Sequence, residues 1–197
     1  ANFSMIITVP NKVLTTPAKP VEKIDKKIKQ IIQQMKDDLI YKENPKGVGL
    51  AAPQIGIPLR IFIIKPAETS PVEVFINPQI TWRSKDLAEI SRPKDSKPSL
   101  RKGRPALPAG RKLEGCLSIP NVWGYLKRPK KVKLSYLDEN GTHQEKEFES
   151  FKATIVQHET DHINGILFTQ RVLEQKQKLY RIEEDDDGEE ELVEIEL

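Results

Sequence analysis

Cysteine is nearly missing from this sequence, since Cys116 is the only one in 197 residues. A disulfide within the chain is therefore excluded, which favours a reducing compartment. No apolar run approaches the roughly 20 residues that a membrane-spanning helix requires. The first residues also lack the basic and apolar regions of a signal peptide. These absences predict a soluble cytoplasmic protein that does not bind membranes, with a trimmed organellar form as the alternative.

A strong net charge is missing as well, because 32 Lys and Arg stand against 29 Asp and Glu. The charge is uneven, however: residues 83–112 hold ten basic and three acidic side chains, and residues 183–197 hold ten acidic and no basic ones. Such runs are usually solvated faces. The basic segment would bind phosphate without sequence preference. No aromatic residue follows Trp82 there to stack on bases. We expect no sequence-specific binding of nucleic acid.

The period of the apolar pattern changes along the chain and predicts one α+β domain over residues 1–197. Apolar residues three or four apart predict an N-terminal amphipathic helix over 21–41, with Pro20 in its first turn, and a second helix over 151–164. Runs rich in Val, Ile and Phe predict antiparallel strands around the second helix. These runs are residues 59–64, residues 72–77 and a hairpin over 131–149.

Three segments carry no such clear pattern. Residues 83–112 contain four prolines and two glycines and predict a long loop, which is uncommon in compact domains unless it is functional or disordered. Residues 177–197 predict an acidic β-hairpin with an Asp-Gly turn, and a disordered acidic tail is the alternative. Residues 1–4 are either an addition ahead of a native start at Met5 or part of the native chain.

The stretch QHETDH, residues 157–162, lies in the second predicted helix. His158 and His162 are four residues apart and share one face, so that both imidazoles can bind one cation. Glu159 lies about 100° around the helix and can reach a water on that cation without being a ligand. Because the chain has only three histidines, two of them meeting this spacing by accident is improbable.

A catalytic metal needs a third protein ligand and one open position. The residues leave three candidates for it: a distant carboxylate, His143 and Cys116. His143 falls near the turn of a predicted hairpin, where solvation is expected. A Cys116 thiolate would bind zinc or ferrous iron well, and ligand chemistry alone does not separate these two metals.

Three stretches together resemble the motifs of the peptide deformylase family. They are GVGLAAPQ at 47–54, EGCLS at 114–118 and QHETDH at 157–162, and their order and approximate spacing match as well. The resemblance covers about residues 5–172 and weakens within 83–112 and after Lys176. It implies an enzyme that removes the formyl group from the N-terminal formyl-methionine of newly made polypeptides.

The resemblance also implies a role for each motif residue. Cys116, His158 and His162 would bind one divalent metal, Fe²⁺ in the cell, with Zn²⁺, Ni²⁺ or Co²⁺ able to replace it. A hydroxide formed on that metal would attack the formyl carbon, with Glu159 as the general acid/base. The Gln54 side chain and the Leu117 backbone N–H would stabilise the oxyanion, each donor contributing about 3–4 kcal/mol in the transition state.

A substrate-binding set follows from the same motifs. The substrate peptide would lie along the GVGL segment and pair with the Gly49 backbone, which glycines allow to approach closely. Taken alone, such a glycine run indicates a turn, and each apolar member of the set is equally typical of plain core. The residues assigned to substrate binding are Gly47, Val48, Gly49, Leu50, Gly115 and Ile155.

Two residues are expected to support the ligands from outside. A Glu114–Arg128 pair would brace the Cys116 segment, with a solvent-exposed pair as the alternative. Asp161 would either orient a histidine or cap a neighbouring element. The sequence departs from the family in its longer, more basic 83–112 segment, which could cover the site or touch ribosomal RNA. It also ends in an acidic segment where some members have a basic ribosome-docking helix.

Two other functions compete with the deformylase hypothesis. One is a zinc endopeptidase with the His-Glu-x-x-His motif, against which the Cys116 ligand and the GVGLAAPQ stretch argue. The other is a metal-dependent binding or ribosome-associated module without catalysis. A binding module needs no proton shuttle, so Glu159 and Gln54 argue against it.

Overall fold

A computed structural model describes residues 3–42, 47–90, 112–188 and 190–196. The elements are, in chain order, α1 (Lys26–Tyr41), β1 (Gly49–Ala51), β2 (Ile61–Ile64), β3 (Glu73–Arg83), β4 (Leu87–Ala88), β5 (Glu114–Cys116), β6 (Ile119–Gly124), β7 (Arg128–Pro129), β8 (Lys131–Leu137), β9 (His143–Glu149), α2 (Ser150–Ile163), α3 (Phe168–Glu174), β10 (Leu179–Glu184) and β11 (Glu190–Glu194). Short 3₁₀ turns occupy Lys12–Leu14 and Ala52–Ile55. Within the described ranges, no helix has the length and apolarity needed to cross a bilayer.

The strands form antiparallel sheets around α2. A five-stranded sheet has the order β1-β2-β3-β8-β9, a four-stranded sheet has the order β11-β10-β6-β5, and β4 pairs with β7. Consequently β1 and β5 each lie at the edge of a sheet, with one side of the strand unpaired in the sheet order. Mixed helices and antiparallel sheets of this kind are the α+β class that the sequence predicts.

Strand β2 shows why the five-stranded sheet is buried on both faces. All four of its residues are fully buried. Phe62 and Ile64 pack in one apolar cluster with Val156 of α2, whereas Ile61 and Ile63 pack in another with Met35 of α1 and its neighbours. Because successive side chains of a strand point to opposite faces, a continuous apolar run requires cover on each side. The two helices therefore enclose the sheet between them.

Helix α1 begins five residues later than the periodicity predicts. The side chain of Asp25 accepts a hydrogen bond from the Ile28 N–H and caps the helix, which fixes its start at Lys26. Val21 is held instead by Asn77, whose side chain accepts from the Val21 N–H and donates to its carbonyl. The prediction that Pro20 lies in the first helical turn is therefore wrong, because a long-range contact takes the backbone groups at residue 21.

The start of the predicted 83–112 loop is also different in the structure. Strand β3 continues to Arg83, and β4 pairs with β7 through Leu87 with Pro129 and Ala88 with Arg128. The prediction of a loop is wrong for these residues, since pairing with a strand 40 residues away leaves no local pattern. Residues 91–111, the rest of that segment, lie outside the described residues.

Both predicted hairpins are present. Strands β8 and β9 pair from Lys131 with Glu149 to Leu137 with His143. At the chain end, β10 pairs with β11 and also with β6, which joins the acidic hairpin to the sheet that carries Cys116. Pairing with β6 explains why so acidic a segment is ordered.

Candidate functional site

The site lies where the edge strand β5 meets helix α2. Cys116 ends β5, and His158 and His162 lie one turn apart on α2. One ligand atom from each of the three lies within 4.8 Å of the others, and Cys116 Sγ is 3.1 Å from His162 Nε2. These distances suit three ligands of a single cation. His143 is exposed on β9 and bonds to Ser135, so the third-ligand alternative at His143 is not supported.

The donor set fits a metal because one imidazole is already oriented for it. Glu114, at the start of β5, accepts a hydrogen bond from His158 Nδ1. A proton held on Nδ1 leaves Nε2 of His158 free as a ligand atom, which is the usual arrangement at metal-binding histidines. Nδ1 of His162 is buried and has no hydrogen-bond partner among the described residues.

The two imidazoles have pKa values shifted in opposite directions. Burial opposes a charge on His158, but its hydrogen bonds to Cys116 and Glu114 outweigh burial and raise the pKa. Burial and then the neighbouring His158 lower the pKa of His162. Of the two imidazoles, His158 is therefore the one that more readily holds an extra proton, which a cation must displace.

Metal affinity is accordingly expected to fall as the pH falls. Each proton that binding displaces weakens the apparent affinity by about tenfold per pH unit while the displaced group is protonated. Because the pKa of His158 is raised, this loss begins at a higher pH than for an ordinary histidine. Competition with a chelator at several pH values measures the slope, and an affinity independent of pH from neutral to mildly acidic conditions would contradict it.

Glu159 follows His158 directly on α2 and faces strand β1. A Cβ at Gly49 would lie 2.6 Å from Glu159 Oε1, so any larger residue there would force the carboxylate to move. Oε2 is buried and has no hydrogen-bond partner among the described residues. Burial raises the pKa of Glu159 to about 7, with His158 opposing the rise. This carboxyl group can therefore both take up and release a proton near neutral pH.

Gln54 approaches the triad from the 3₁₀ turn after β1. Its Oε1 accepts from the Ala51 N–H at 2.9 Å, and its Nε2 lies 3.2 Å from Ser118 Oγ and 3.7 Å from Cys116 Sγ. The side chain is almost fully buried. Leu117 follows Cys116 in the turn between β5 and β6. An amide donor from one loop and a backbone N–H from another thus lie beside the sulfur ligand.

Comparison with known proteins identifies the family. The family profile described as Polypeptide deformylase matches residues 3–178. A peptide deformylase of Synechocystis is 35% identical over 165 residues, which cover 82% of this chain and 75% of that protein.

Solved structures agree. A Synechococcus elongatus peptide deformylase in complex with actinonin has a TM-score of 0.69 at 36% identity and covers 86% of this chain and 78% of its own. An Acinetobacter baumannii class I type b enzyme with Met-Ala-Ser bound has a TM-score of 0.69 at 29% identity, covering 87% and 99%. The chain belongs to the polypeptide deformylase family. Peptide deformylases are metal-dependent hydrolases that remove the N-terminal formyl group of new polypeptides, and the triad is where this one can hold its metal.

Behind the triad of this peptide deformylase lies a chain of alternating charges. Arg128 donates to both oxygens of Glu114, at 2.7 and 3.0 Å, and to Asp161 at 2.9 Å. Asp161 also accepts from Arg171 of α3, which in turn reaches Glu174 at the surface. Burial opposes ionisation of Glu114, but Arg128 and then His158 overcome it and lower the pKa. The pair Glu114–Arg128 is buried, so the solvent-exposed alternative is wrong.

The sequence leaves open whether Asp161 orients a histidine or caps a neighbouring element. Within the described ranges its side chain bonds neither to a histidine nor to the backbone of a helix end, but joins two arginines from different elements. Spacing gives no signal of this role, because Arg128 and Arg171 lie 33 and 10 positions away in the chain. Ser118 is the other residue that sequence reasoning missed, although it closes the EGCLS motif.

The predicted substrate-binding residues do not all reach the site. Gly49 faces Glu159, and a Cβ at Gly47 would meet the side chains of Leu39 and Leu117. Val48 and Ile155 belong to the apolar cluster beside α2. Leu50 packs in the cluster on the α1 side of the sheet, so its side chain lies on the face away from Glu159. It is turned away because it alternates with Gly49 along β1.

Gly115 lies on β5 between Glu114, which bonds to His158, and the proposed ligand Cys116. A Cβ there would be 2.7 Å from the ring of Trp123, on the neighbouring strand β6. The ring therefore covers the side of Gly115 that alternation turns away from Glu114 and Cys116. Only the backbone of Gly115, on the edge strand, could contact a substrate.

Proposed function

We propose that this peptide deformylase holds one divalent cation on Cys116, His158 and His162 and uses Glu159 as its general acid/base. The observation that carries the proposal is the convergence of the three ligand atoms within 4.8 Å, next to a carboxylate that is buried but not a member of the triad. Fe²⁺ is proposed as the cation in the cell, with Zn²⁺, Ni²⁺ and Co²⁺ as substitutes, because one thiolate and two imidazoles suit all four.

When bound, the cation supplies a Lewis acid that makes water nucleophilic near neutral pH. The protein's own contribution is to move the proton. The Glu159 carboxylate takes a proton from the attacking water and delivers it to the methionine nitrogen as the formyl C–N bond breaks. Formate and a free amino terminus result. A pKa of about 7 for Glu159 suits both halves of this transfer.

Two N–H donors are proposed to stabilise the negative charge that develops on the formyl oxygen. These are the Gln54 side-chain amide, in the 3₁₀ turn after β1, and the Leu117 backbone N–H, in the turn between β5 and β6. The anchored position of the Gln54 carboxamide beside Cys116 Sγ supports its role. Donors fixed before the reaction are effective because they need not reorganise as charge develops.

The substrate peptide is proposed to pair with the edges of the two sheets. Strands β1 and β5 end the sheet orders, so the backbones of Gly49 and Gly115 are available for pairing as an added strand. Glycine at both positions keeps side chains from separating the two backbones. The Acinetobacter baumannii relative was solved with Met-Ala-Ser bound, which is consistent with a peptide ligand here.

We propose that the enzyme acts in the cytoplasm on formyl-methionyl nascent chains, with a transient ribosome association through basic residues of 83–112. The C-terminal hairpin is acidic and paired to β6, which is unfavourable for contact with RNA phosphates.

Turnover of formyl-Met-Ala-Ser under anaerobic conditions tests the function, with the bound metal assayed on the same sample. We expect formate release that disappears after chelation and returns after reloading with Fe²⁺ or Ni²⁺. Acetyl-Met-Ala-Ser is the matched control, since a site shaped for a carbonyl carbon bearing only hydrogen should reject the added methyl group. Absence of turnover at full metal occupancy would overturn the proposal.

A further inference from the structure

Ser118 is fully buried in the turn between β5 and β6, two residues after Cys116. Its Oγ accepts a hydrogen bond from Gln54 Nε2 at 3.2 Å, across 64 positions of sequence. The proposed mechanism uses one N–H of the Gln54 amide, and Ser118 accepts from the other. Ser118 is thus a buried polar group that contacts the proposed oxyanion donor directly.

The contacts of the Gln54 carboxamide leave it one orientation. The Ala51 N–H donates to Oε1, which excludes a flipped amide because Nε2 in that place would set two donors against each other. Ser118 Oγ then accepts from Nε2. An amide nitrogen has two hydrogens, and the second N–H donates to Cys116 Sγ, with 3.7 Å between nitrogen and sulfur. Because Ser118 takes one N–H, the other is directed at the sulfur ligand, where the metal would be held.

The backbones of these two residues are joined by a third segment. The N–H of Ile7 donates to the Gln54 carbonyl at 2.7 Å, and the N–H of Val9 donates to the Ser118 carbonyl at 3.0 Å. Residues 7–9 thus bridge the 3₁₀ turn of one sheet and the β5–β6 turn of the other. Both bonds are made by the backbone, so the side chains at residues 7 and 9 are not required for them.

We infer that Ser118 is a positioning residue for the oxyanion donor Gln54, and that the backbone of residues 7–9 holds their two turns at the spacing this contact needs. The inference rests on the proposed role of Gln54. A misplaced donor is costly because stabilisation of the oxyanion depends on a donor that is already aimed at the developing charge.

The test is a double-mutant cycle of Ser118→Ala and Gln54→Ala, with kcat, KM, metal content and melting temperature measured for each protein. We expect Ser118→Ala to lower kcat by about tenfold or more at an unchanged KM and metal content, since loss of one oxyanion donor costs about 10²–10³-fold. In the Gln54→Ala background it should have no further effect on kcat. Ser135→Ala is the matched control, because it removes a hydroxyl that bonds to His143 on a distant hairpin. An unchanged kcat, or equal effects in both backgrounds, would overturn the inference.

A second arm examines residues 7–9 and the amide itself. Ile7→Pro removes the N–H and the side chain, whereas Ile7→Ala removes only the side chain. Ile7→Pro should lower kcat more than Ile7→Ala does, and equal values would contradict the role of the segment. The Gln54 side-chain amide signal in NMR, assigned by its loss in Gln54→Ala, should show one slowly exchanging proton that Ser118→Ala releases. Because this signal needs no turnover, it separates a failure of the inference from an inactive wild-type enzyme.

Discussion

Glu159→Gln is expected to lower kcat/KM by about 10³-fold, within the range that general acid–base catalysis supplies. Glutamine keeps the shape of the side chain, so it fits beside Gly49 as the carboxylate does, but it cannot accept a proton from water. The binding of substrate should change little, so the loss should appear in kcat. Steady-state deformylation of formyl-Met-Ala-Ser at saturating metal measures both constants.

The metal content of the variant distinguishes catalysis from metal binding. Glu159 is not among the three residues whose ligand atoms converge, so Glu159→Gln should keep its full complement of metal. Cys116→Ala is the contrasting variant, because it removes a ligand and should lose metal and activity together. If Glu159→Gln keeps wild-type kcat, the proton is moved by another group. If it loses its metal, the carboxylate supports the cation directly.

How far the sequence predicts the site depends on whether a residue's role is local. His158, Glu159 and His162 belong to one helix, whose period alone predicts that two imidazoles share a face. Gln54 and Cys116 carry no such local sign, and only their place in motifs indicates their roles. The meeting of Ser118 with Gln54, and of Asp161 with two arginines, depends on how separate elements pack. No periodicity reports such contacts.

The same distinction between local and long-range signals explains which parts of the fold are predicted wrongly. The four buried residues of β2 and the alternation in β8 predict strands correctly, because apolar runs and period two are local signals. Helix α1 begins later than its apolar period predicts, because the Asn77 side chain bonds to the N–H and the carbonyl of Val21. Leu50, which the motif predicts to bind substrate, has its side chain turned towards α1 because it alternates with Gly49 along β1. The sequence shows that side chains alternate along β1, but it does not show which of the two faces packs against α2.

Arg128→Met is expected to lower the free energy of unfolding by about 3–5 kcal/mol, as removal of one partner from a buried ion pair does. Arg128 is the sole arginine that contacts Glu114 in the described part of the chain, and both side chains are buried. Asp161 keeps a partner in Arg171, whereas Glu114 loses its arginine and keeps the hydrogen bond from His158. Chemical denaturation of the metal-loaded protein measures the loss, and weaker metal binding should accompany it because Glu114 orients His158.

The pH dependence of this loss identifies its cause. In the wild type, Arg128 and His158 lower the pKa of Glu114, so its ionised form stabilises the fold above the ordinary glutamate pKa and this contribution is lost only as the pH falls through the lowered value. In Arg128→Met, burial is no longer opposed by the arginine, and the pKa of Glu114 should rise. Mild acid then neutralises the buried charge of the variant, so the stability difference from wild type should narrow as the pH falls from neutral.

Arg171→Met provides the matched comparison within the same network. Arg171 is one-third exposed and pairs with Asp161 and the surface residue Glu174, so its removal should cost about 1 kcal/mol or less. Equal losses in the two variants would mean that the chain of charges acts as one unit rather than through the buried pair. A loss in Arg128→Met that does not vary with pH would point to lost packing of the long side chain. Stability alone would not show that this network supports His158. The pH dependence does, because it reports the charge on Glu114.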